Sequence, residues 1–256
     1  PRPAAKLVAR PRLTQRLDEG FQDAHRLFLV VAPAGYGKTT LVAGWLDKTA
    51  VPAAWLSLDK DDNDPLRFFT YLVVALQKTL GPQVTPPQPE AFPMAPRSPE
   101  ALVLPLINDL SAVDRPVLLA LDDYHVITEP TIHEAMVFLL RRAPSNLHLV
   151  VLTRADPPFP LPRLRVRGRM TEIRDRDLRF TPEEMAAFLN ALHRLNLDAA
   201  QITALESRTE GWAAGVQLAA LSLQGSNAER AADFIRGFSG SHHYICLLYT
   251  SPSPRD

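Results

Sequence analysis

Leu27-Phe28-Leu29-Val30-Val31-Ala32-Pro33-Ala34-Gly35-Tyr36-Gly37-Lys38-Thr39-Thr40 is the stretch that decides the fold. Its first six residues are an unbroken apolar run, the mark of a strand buried on both faces. Pro33 to Gly37 is a glycine-bearing turn, and Lys38 to Thr49 reads as a helix. A turn placed between a strand and a helix in this way holds phosphate. Successive backbone N–H groups form an anion nest, and the helix N-terminus adds unpaired donors and the positive end of its dipole. Gly35 and Gly37 permit backbone angles and a close approach that a β-carbon forbids. Pro33, Ala34, Gly35, Tyr36, Gly37, Lys38, Thr39 and Thr40 are therefore the candidate nucleotide-binding residues. Lys38 would place a point charge on the β and γ phosphates, and the Thr39 hydroxyl would ligate Mg2+. The strict pattern has glycine where this chain has Ala32. The bland alternative is a glycine turn that merely joins a strand to a helix.

Working outward, apolar runs alternate with helical patterns. Strands are expected at 53–58, 117–121 and 147–152, with a shorter one at 171–175. Asp64 and Pro65 supply an N-cap and a first-turn proline for a helix to Leu80, with Leu66, Phe69, Leu72, Val73 and Leu76 at its apolar spacing and Phe68-Phe69 as a core pair. Seven prolines between Pro82 and Pro99 make a loop. Ser98-Pro99-Glu100 starts a helix to about Leu110, and Thr131 with Glu134 suggests a capping box for a helix to Arg142. This order predicts an α/β fold, a parallel sheet with helices on both faces. After Phe180 only helical patterns remain, at 183–192, 199–209, 211–223 and 227–238, the first opened by a capping box at Thr181-Pro182-Glu183-Glu184. The expected organisation is an α/β core over 1–178 and a small all-helical lid over 179–245.

Two further strand ends carry chemistry. Leu118 to Leu121 runs into Asp122-Asp123-Tyr124-His125. Asp122 is placed to hold the metal shell, and Asp123 to orient or deprotonate the attacking water. Alone, an acidic strand end is weak, because aspartate also serves turns and caps; with the loop at 32–40 it is strong. Leu149 to Leu152 ends in Thr153-Arg154, and ligands of open α/β sheets sit at such carboxyl ends. Arg154 is thus the candidate sensor of the γ phosphate. The alternating Arg163, Arg165, Arg167 and Arg169 read as one solvated face of an extended segment. Trp45, Trp55 and Trp212 read as core or interface residues.

Lys plus Arg and Asp plus Glu both number 28, for a formal net charge of zero, which excludes a basic field strong enough to hold nucleic acid unaided. The single cysteine, Cys246, excludes a disulfide framework. No apolar run reaches the ~18–20 residues of a membrane span. A cytoplasmic location is therefore expected. The stretch 246–256 has neither helical nor strand period and resembles a translated transposase adapter; it is expected to be a non-native tail. His242-His243 lies beside it and lacks further ligands for a metal.

The loop, the acidic strand end and Thr153-Arg154, in this order, resemble the signal-transduction NTPases with numerous domains. The likeness is closer to one branch, the MalT-like, LuxR-type large ATP-binding transcriptional regulators. It is carried also by Leu7-Val8-Ala9-Arg10-Pro11-Arg12-Leu13, Trp55-Leu56-Ser57-Leu58-Asp59, Leu178-Arg179-Phe180 and Thr209-Glu210-Gly211-Trp212-Ala213-Ala214-Gly215-Val216-Gln217-Leu218. The resemblance implies a P-loop NTPase core with a helical lid, binding ATP or ADP with Mg2+ and hydrolysing ATP slowly. It implies a switch in which ADP holds a closed form and ATP with inducer an open, self-associating one. Lys38, Asp123 and Arg154 would serve catalysis, Thr39 and Asp122 the metal, and Val8 and Arg10 would lie near the adenine. Gly215-Val216-Gln217 would take the place of the wider group's Gly-x-Pro in the lid. DNA and inducer would be met through domains beyond this chain. Two rival readings are a P-loop phosphotransferase acting on a small molecule and a nucleotide-dependent scaffold without turnover.

Overall fold

A computed structural model describes residues 8–85 and 98–224, together with Phe234, Ile235 and Gly237. The expected helix over 227–238 lies almost wholly outside the described residues, as do His242-His243, Cys246 and the stretch 246–256. The described chain opens with α1 (Pro11–Gln22), β1 (Leu27–Val31), α2 (Lys38–Leu46), β2 (Ala53–Ser57) and α3 (Pro65–Leu80). It continues through α4 (Pro99–Ser111), β3 (Val117–Asp122), α5 (Pro130–Arg142), β4 (Leu147–Thr153), α6 (Leu161–Val166) and β5 (Met170–Arg174). Helices α7 (Asp175–Leu178), α8 (Pro182–Ala186), α9 (Ala199–Thr209) and α10 (Ala213–Leu223) follow, with a π-helical turn over Ala187–Leu192 after α8.

The five strands form one parallel sheet in the order β2-β3-β4-β1-β5. Strand alternation sorts each side chain onto one face. Leu27, Leu29, Leu119, Leu121, Leu149 and Val151 face the side covered by α3, α4 and α5. Phe28, Val30, Leu118, Ala120, Val150 and Leu152 face α1 and α2. With both faces covered, β1, β3 and β4 are buried at every residue, which is why they read as continuous apolar runs. A third apolar cluster lies among the helices after α7, built on Met185, Leu189, Leu205, Val216 and Ala220.

Local signals held where a side chain could satisfy a backbone donor. Asp64 accepts from Arg67 N, Ser98 from Ala101 N and Thr181 from Glu184 N, each opening its helix as expected. Three expectations are corrected. Helix α5 is capped two residues earlier than Thr131 implied: Pro130 takes the first position and the Glu129 carboxylate accepts from Thr131 N. Leu66 sits on the outer face of α3 and is 43% exposed, whereas Phe68 is buried. The arginine-bearing stretch is not extended. It forms α6, begun by Pro160 and Pro162 and anchored by buried Leu161, and it turns at Gly168 with φ +56°. Period two arose there from a six-residue helix running into a turn.

Candidate functional site

The phosphate-type loop runs from Ala32 to Lys38 at the carboxyl end of β1. Gly35 and Gly37 both adopt left-handed angles, φ +78° and +79°, which a side chain would strain. A Cβ at Gly37 would meet nothing within 4 Å, whereas one at Gly35 would lie 2.8 Å from the Ala214 Cβ and 2.9 Å from the Trp212 ring. Ala32, in the place of the usual glycine, packs its methyl group into the core with 1% exposure, so the departure costs the loop nothing in space. The Lys38 ammonium donates to the carbonyls of Ala32 at 2.8 Å and Pro33 at 3.0 Å. The Ala34 carbonyl accepts from Trp212 Nε1 at 3.2 Å and the Gly35 carbonyl from Ala214 N at 3.0 Å. In a trans peptide the N–H points opposite to the carbonyl. The Gly35 and Tyr36 N–H groups, which follow the Ala34 and Gly35 carbonyls, therefore face away from Trp212 and Ala214.

Beside the loop, β3 delivers Asp122. Thr39 Oγ1 donates to its carboxylate at 2.9 Å, and Asp123 N donates to Oδ1 at 3.0 Å. Asp123 itself takes a left-handed turn, φ +59°, which swings its carboxylate away from the strand; that side chain is 48% exposed and lies 3.7 Å from His125 Nδ1. Lys38, Asp122, Asp123 and Arg154 feel one another's charge. Burial pushes the Lys38 ammonium below its ordinary range, opposed by Asp123 and reinforced by Arg154. Burial raises Asp122 against the pull of the Thr39 hydrogen bond, and Asp123 adds to the rise. His125 is lowered, by burial first and by Arg154 next, which favours the neutral ring.

The structure thus brings Lys38, Thr39, Asp122, Asp123 and Arg154 to one edge of the sheet. Arg154 is exposed there, while the Thr153 hydroxyl is spent on Ala155 O at 2.8 Å. Tyr36 is buried, its ring 6.5 Å from Trp212, and Thr40 is exposed. Val8 is half-buried. The Arg10 side chain reaches the start of the helical region, donating to Leu178 O and Arg179 O at 2.8 Å and pairing with Glu184 at 3.0 Å. Gly215-Val216-Gln217 lies in α10 of the helical region, with Gly215 and Val216 buried, and the residues there that meet the loop are Trp212 and Ala214. Two partners were invisible in sequence, Glu184 and the Gly35–Ala214 contact. Each joins positions far apart in the chain, and Glu184 already had a sufficient local reason in its capping box.

The donor chemistry fits a Mg2+ ion carried by a nucleotide. Thr39 and Asp122 offer two hard oxygens on a helix start and a strand end, and such an ion takes its remaining ligands from phosphate and water. No cluster of three acidic, histidine or cysteine ligands occurs among the described residues. No helix among the described residues is long and apolar enough to cross a membrane.

No family model matches the chain. It is 40% identical over 220 residues to the HTH-type transcriptional regulator MalT of Yersinia enterocolitica, covering 85% of this chain and 24% of that protein. It is 39% identical over 237 residues to MalT of Serratia proteamaculans, covering 92% of this chain and 26% of that protein. The chain therefore spans about a quarter of the length of the curated relatives it matches. Among solved structures, the Walker-type ATPase of Pyrococcus abyssi aligns over 91% of this chain and 73% of its own, with a TM-score of 0.55 at 15% identity, which shows the shared fold.

Proposed function

This chain is homologous to the MalT-type transcriptional regulators over the part of them it matches, and from that premise we propose that it is a nucleotide-operated switch of such a regulator. The observation that carries the reading is the hydroxyl–carboxylate contact between Thr39, at the start of α2, and Asp122, at the end of β3, with the Lys38 ammonium drawn into the same loop. A strand–loop–helix without a ligand role has no need to bury an unpaired lysine and aspartate at 7% and 5% exposure at one edge of the sheet.

In this reading the loop amides and the start of α2 bind the phosphates of ATP or ADP, and Lys38 exchanges its two carbonyl partners for phosphate oxygens. Thr39 and Asp122 would hold the metal, which would supply charge neutralisation for the phosphates. Asp123, set outward by its left-handed backbone, orients water. Arg154 lies where it senses whether a γ phosphate is present, and Val8 borders the base. Residues 1–178 act as the core and 179–245 as a lid, closed with ADP and opened with ATP and inducer. Turnover is slow and serves as a timer. Reversing a switch from mostly closed to mostly open needs ~5.5 kcal/mol of differential binding. One phosphate contact is too little, so the lid, the inducer, neighbouring copies and the rest of the regulator share it, with DNA read elsewhere in the full protein. Isothermal titration of ADP and ATP tests the reading: Lys38→Ala should abolish binding, and wild-type affinity in that variant would remove the loop from the function.

A further inference from the structure

A second cluster of charge lies where the N-terminal arm crosses the start of the helical region, and nothing in the proposed nucleotide chemistry uses it. Glu184 is 8% exposed and accepts from two arginines of the arm. Arg10 reaches Oε2 at 3.0 Å and Arg12 reaches Oε1 at 3.0 Å. The same two guanidinium groups bind the backbone of 177–180, the hinge between β5 and α8. Arg10 donates to Leu178 O and Arg179 O, and Arg12 to Asp177 O at 2.7 Å and Arg179 O at 2.8 Å. Arg10 also lies over the Phe180 ring, 4.9 Å from its centroid.

This cluster is mechanically continuous with the loop. Phe180 N donates to Gly211 O at 2.8 Å, and a Cβ on Gly211 would lie 2.6 Å from the Phe180 carbonyl, so hinge and turn are seated without slack. The next residue, Trp212, holds Ala34 O, and Ala214 holds Gly35 O. Lifting the start of α10 off the loop therefore drags Phe180, and with it α8 and Glu184. Separating Glu184 from Arg10 strands a carboxylate and a guanidinium that are both buried, which makes the movement a two-state rupture and not a gradual drift.

We propose that Glu184 is a positioning residue, the catch by which the N-terminal arm keeps the helical region closed over the phosphate loop, so that nucleotide release is coupled to rupture of the Arg10–Glu184–Arg12 cluster. The catch stands on geometry alone; its link to release rests on the nucleotide reading above. Glu184 has two separable jobs. It accepts from Thr181 N in a capping box, which glutamine also does, and it carries the charge that the arginines need, which glutamine lacks. Glu184→Gln therefore keeps the cap and removes the charge, while Thr181→Ala weakens the cap and keeps the charge.

The test compares both variants with the parent chain in two measurements. One is the release rate of a fluorescent ADP analogue, and the other is hydrogen exchange over 34–40 and 212–216 without nucleotide. Glu184→Gln should speed release by about tenfold, the equivalent of about 1.4 kcal/mol, and should raise exchange in both segments together. Thr181→Ala should leave both readouts near those of the parent. Equal effects from the two variants, or parent-like behaviour of Glu184→Gln, would overturn the catch. Should the parent bind no ADP analogue, the nucleotide reading fails by itself, and the paired rise in exchange still decides whether the catch exists.

Discussion

Two carboxylates, Asp122 beside the phosphate loop and Glu184 at the hinge, are buried to nearly the same extent, at 5% and 8% exposure, yet their environments push them in opposite directions. Burial raises Asp122, Asp123 adds to the rise, and the Thr39 hydroxyl, one amide and the weaker pull of Lys38 do not restore it. Burial would raise Glu184 too, but hydrogen bonds from Arg12 and then Arg10 outweigh it and hold that carboxyl below its ordinary range. A charge whose partners are already present is holding the fold together. One left short of counter-charge makes the fold less stable until a ligand arrives, as expected of a site prepared for a cation and a polyanion. The difference teaches that equal burial says little about role; what decides it is whether the counter-charge belongs to the chain.

The comparison breaks most decisively at Lys38. Its alanine variant should lose more than about 100-fold in nucleotide affinity by calorimetry, with little change in fold, because the lysine is bound only to its own loop's carbonyls. Next, Asp123→Ala should keep ATP affinity while phosphate release, followed with malachite green, falls by about 100-fold; unchanged release would take Asp123 out of the chemistry.

Third, the two buried carboxylates should respond with opposite sign in thermal unfolding of the nucleotide-free protein at neutral pH. Glu184→Gln should lower stability by about 1–3 kcal/mol, and Asp122→Asn should raise it by about 1 kcal/mol. The pH dependence follows. The folded pKa of Glu184 lies below its unfolded value, so its contribution is present above the unfolded value and is lost as pH falls through the folded one. The folded pKa of Asp122 lies above its unfolded value, so the protein loses that group's contribution as pH rises through the folded one. A drop in stability on Asp122→Asn would show that groups of the chain already balance the Asp122 charge.

The smallest expected effect separates the two loop glycines. Both sit at positive φ, so either alanine costs about 1–2 kcal/mol in backbone strain. Only Gly35→Ala also strikes Trp212 and Ala214, so it should unfold at a lower temperature than Gly37→Ala and increase exchange over 212–216. Gly37→Ala, whose Cβ meets no protein atom, should instead show its deficit mainly in nucleotide titration.

Much of the site could be read from the chain because its parts are contiguous. Pro33 to Thr40 declares a strand, a turn and a helix start within one short stretch, and Asp122-Asp123 ends an apolar run that only a buried parallel strand explains. Where reading failed, a local pattern had two causes. Arg163 to Arg169 alternates like a strand but folds as α6 and a turn, since Pro160 and Pro162 favour a helix start and Leu161 has a core to enter. Gly215-Val216-Gln217 lies in the helical region, where helix α10 turns Val216 into the core among Met185 and Leu189 and leaves Trp212, at its start, to touch the loop, a contact no local pattern announces.

The sequence by itself determined the sheet strands, the phosphate-type loop and the caps at Asp64, Ser98 and Thr181, because each is specified by residues within a few positions of one another. Tertiary structure alone decided that Glu184 answers Arg10 and Arg12 across more than 170 positions and that Gly35 lies under Trp212. The reason is that local hydrogen-bond and steric rules act through the covalent chain, whereas the pairing of a buried charge depends on which distant segment the packed core brings within reach.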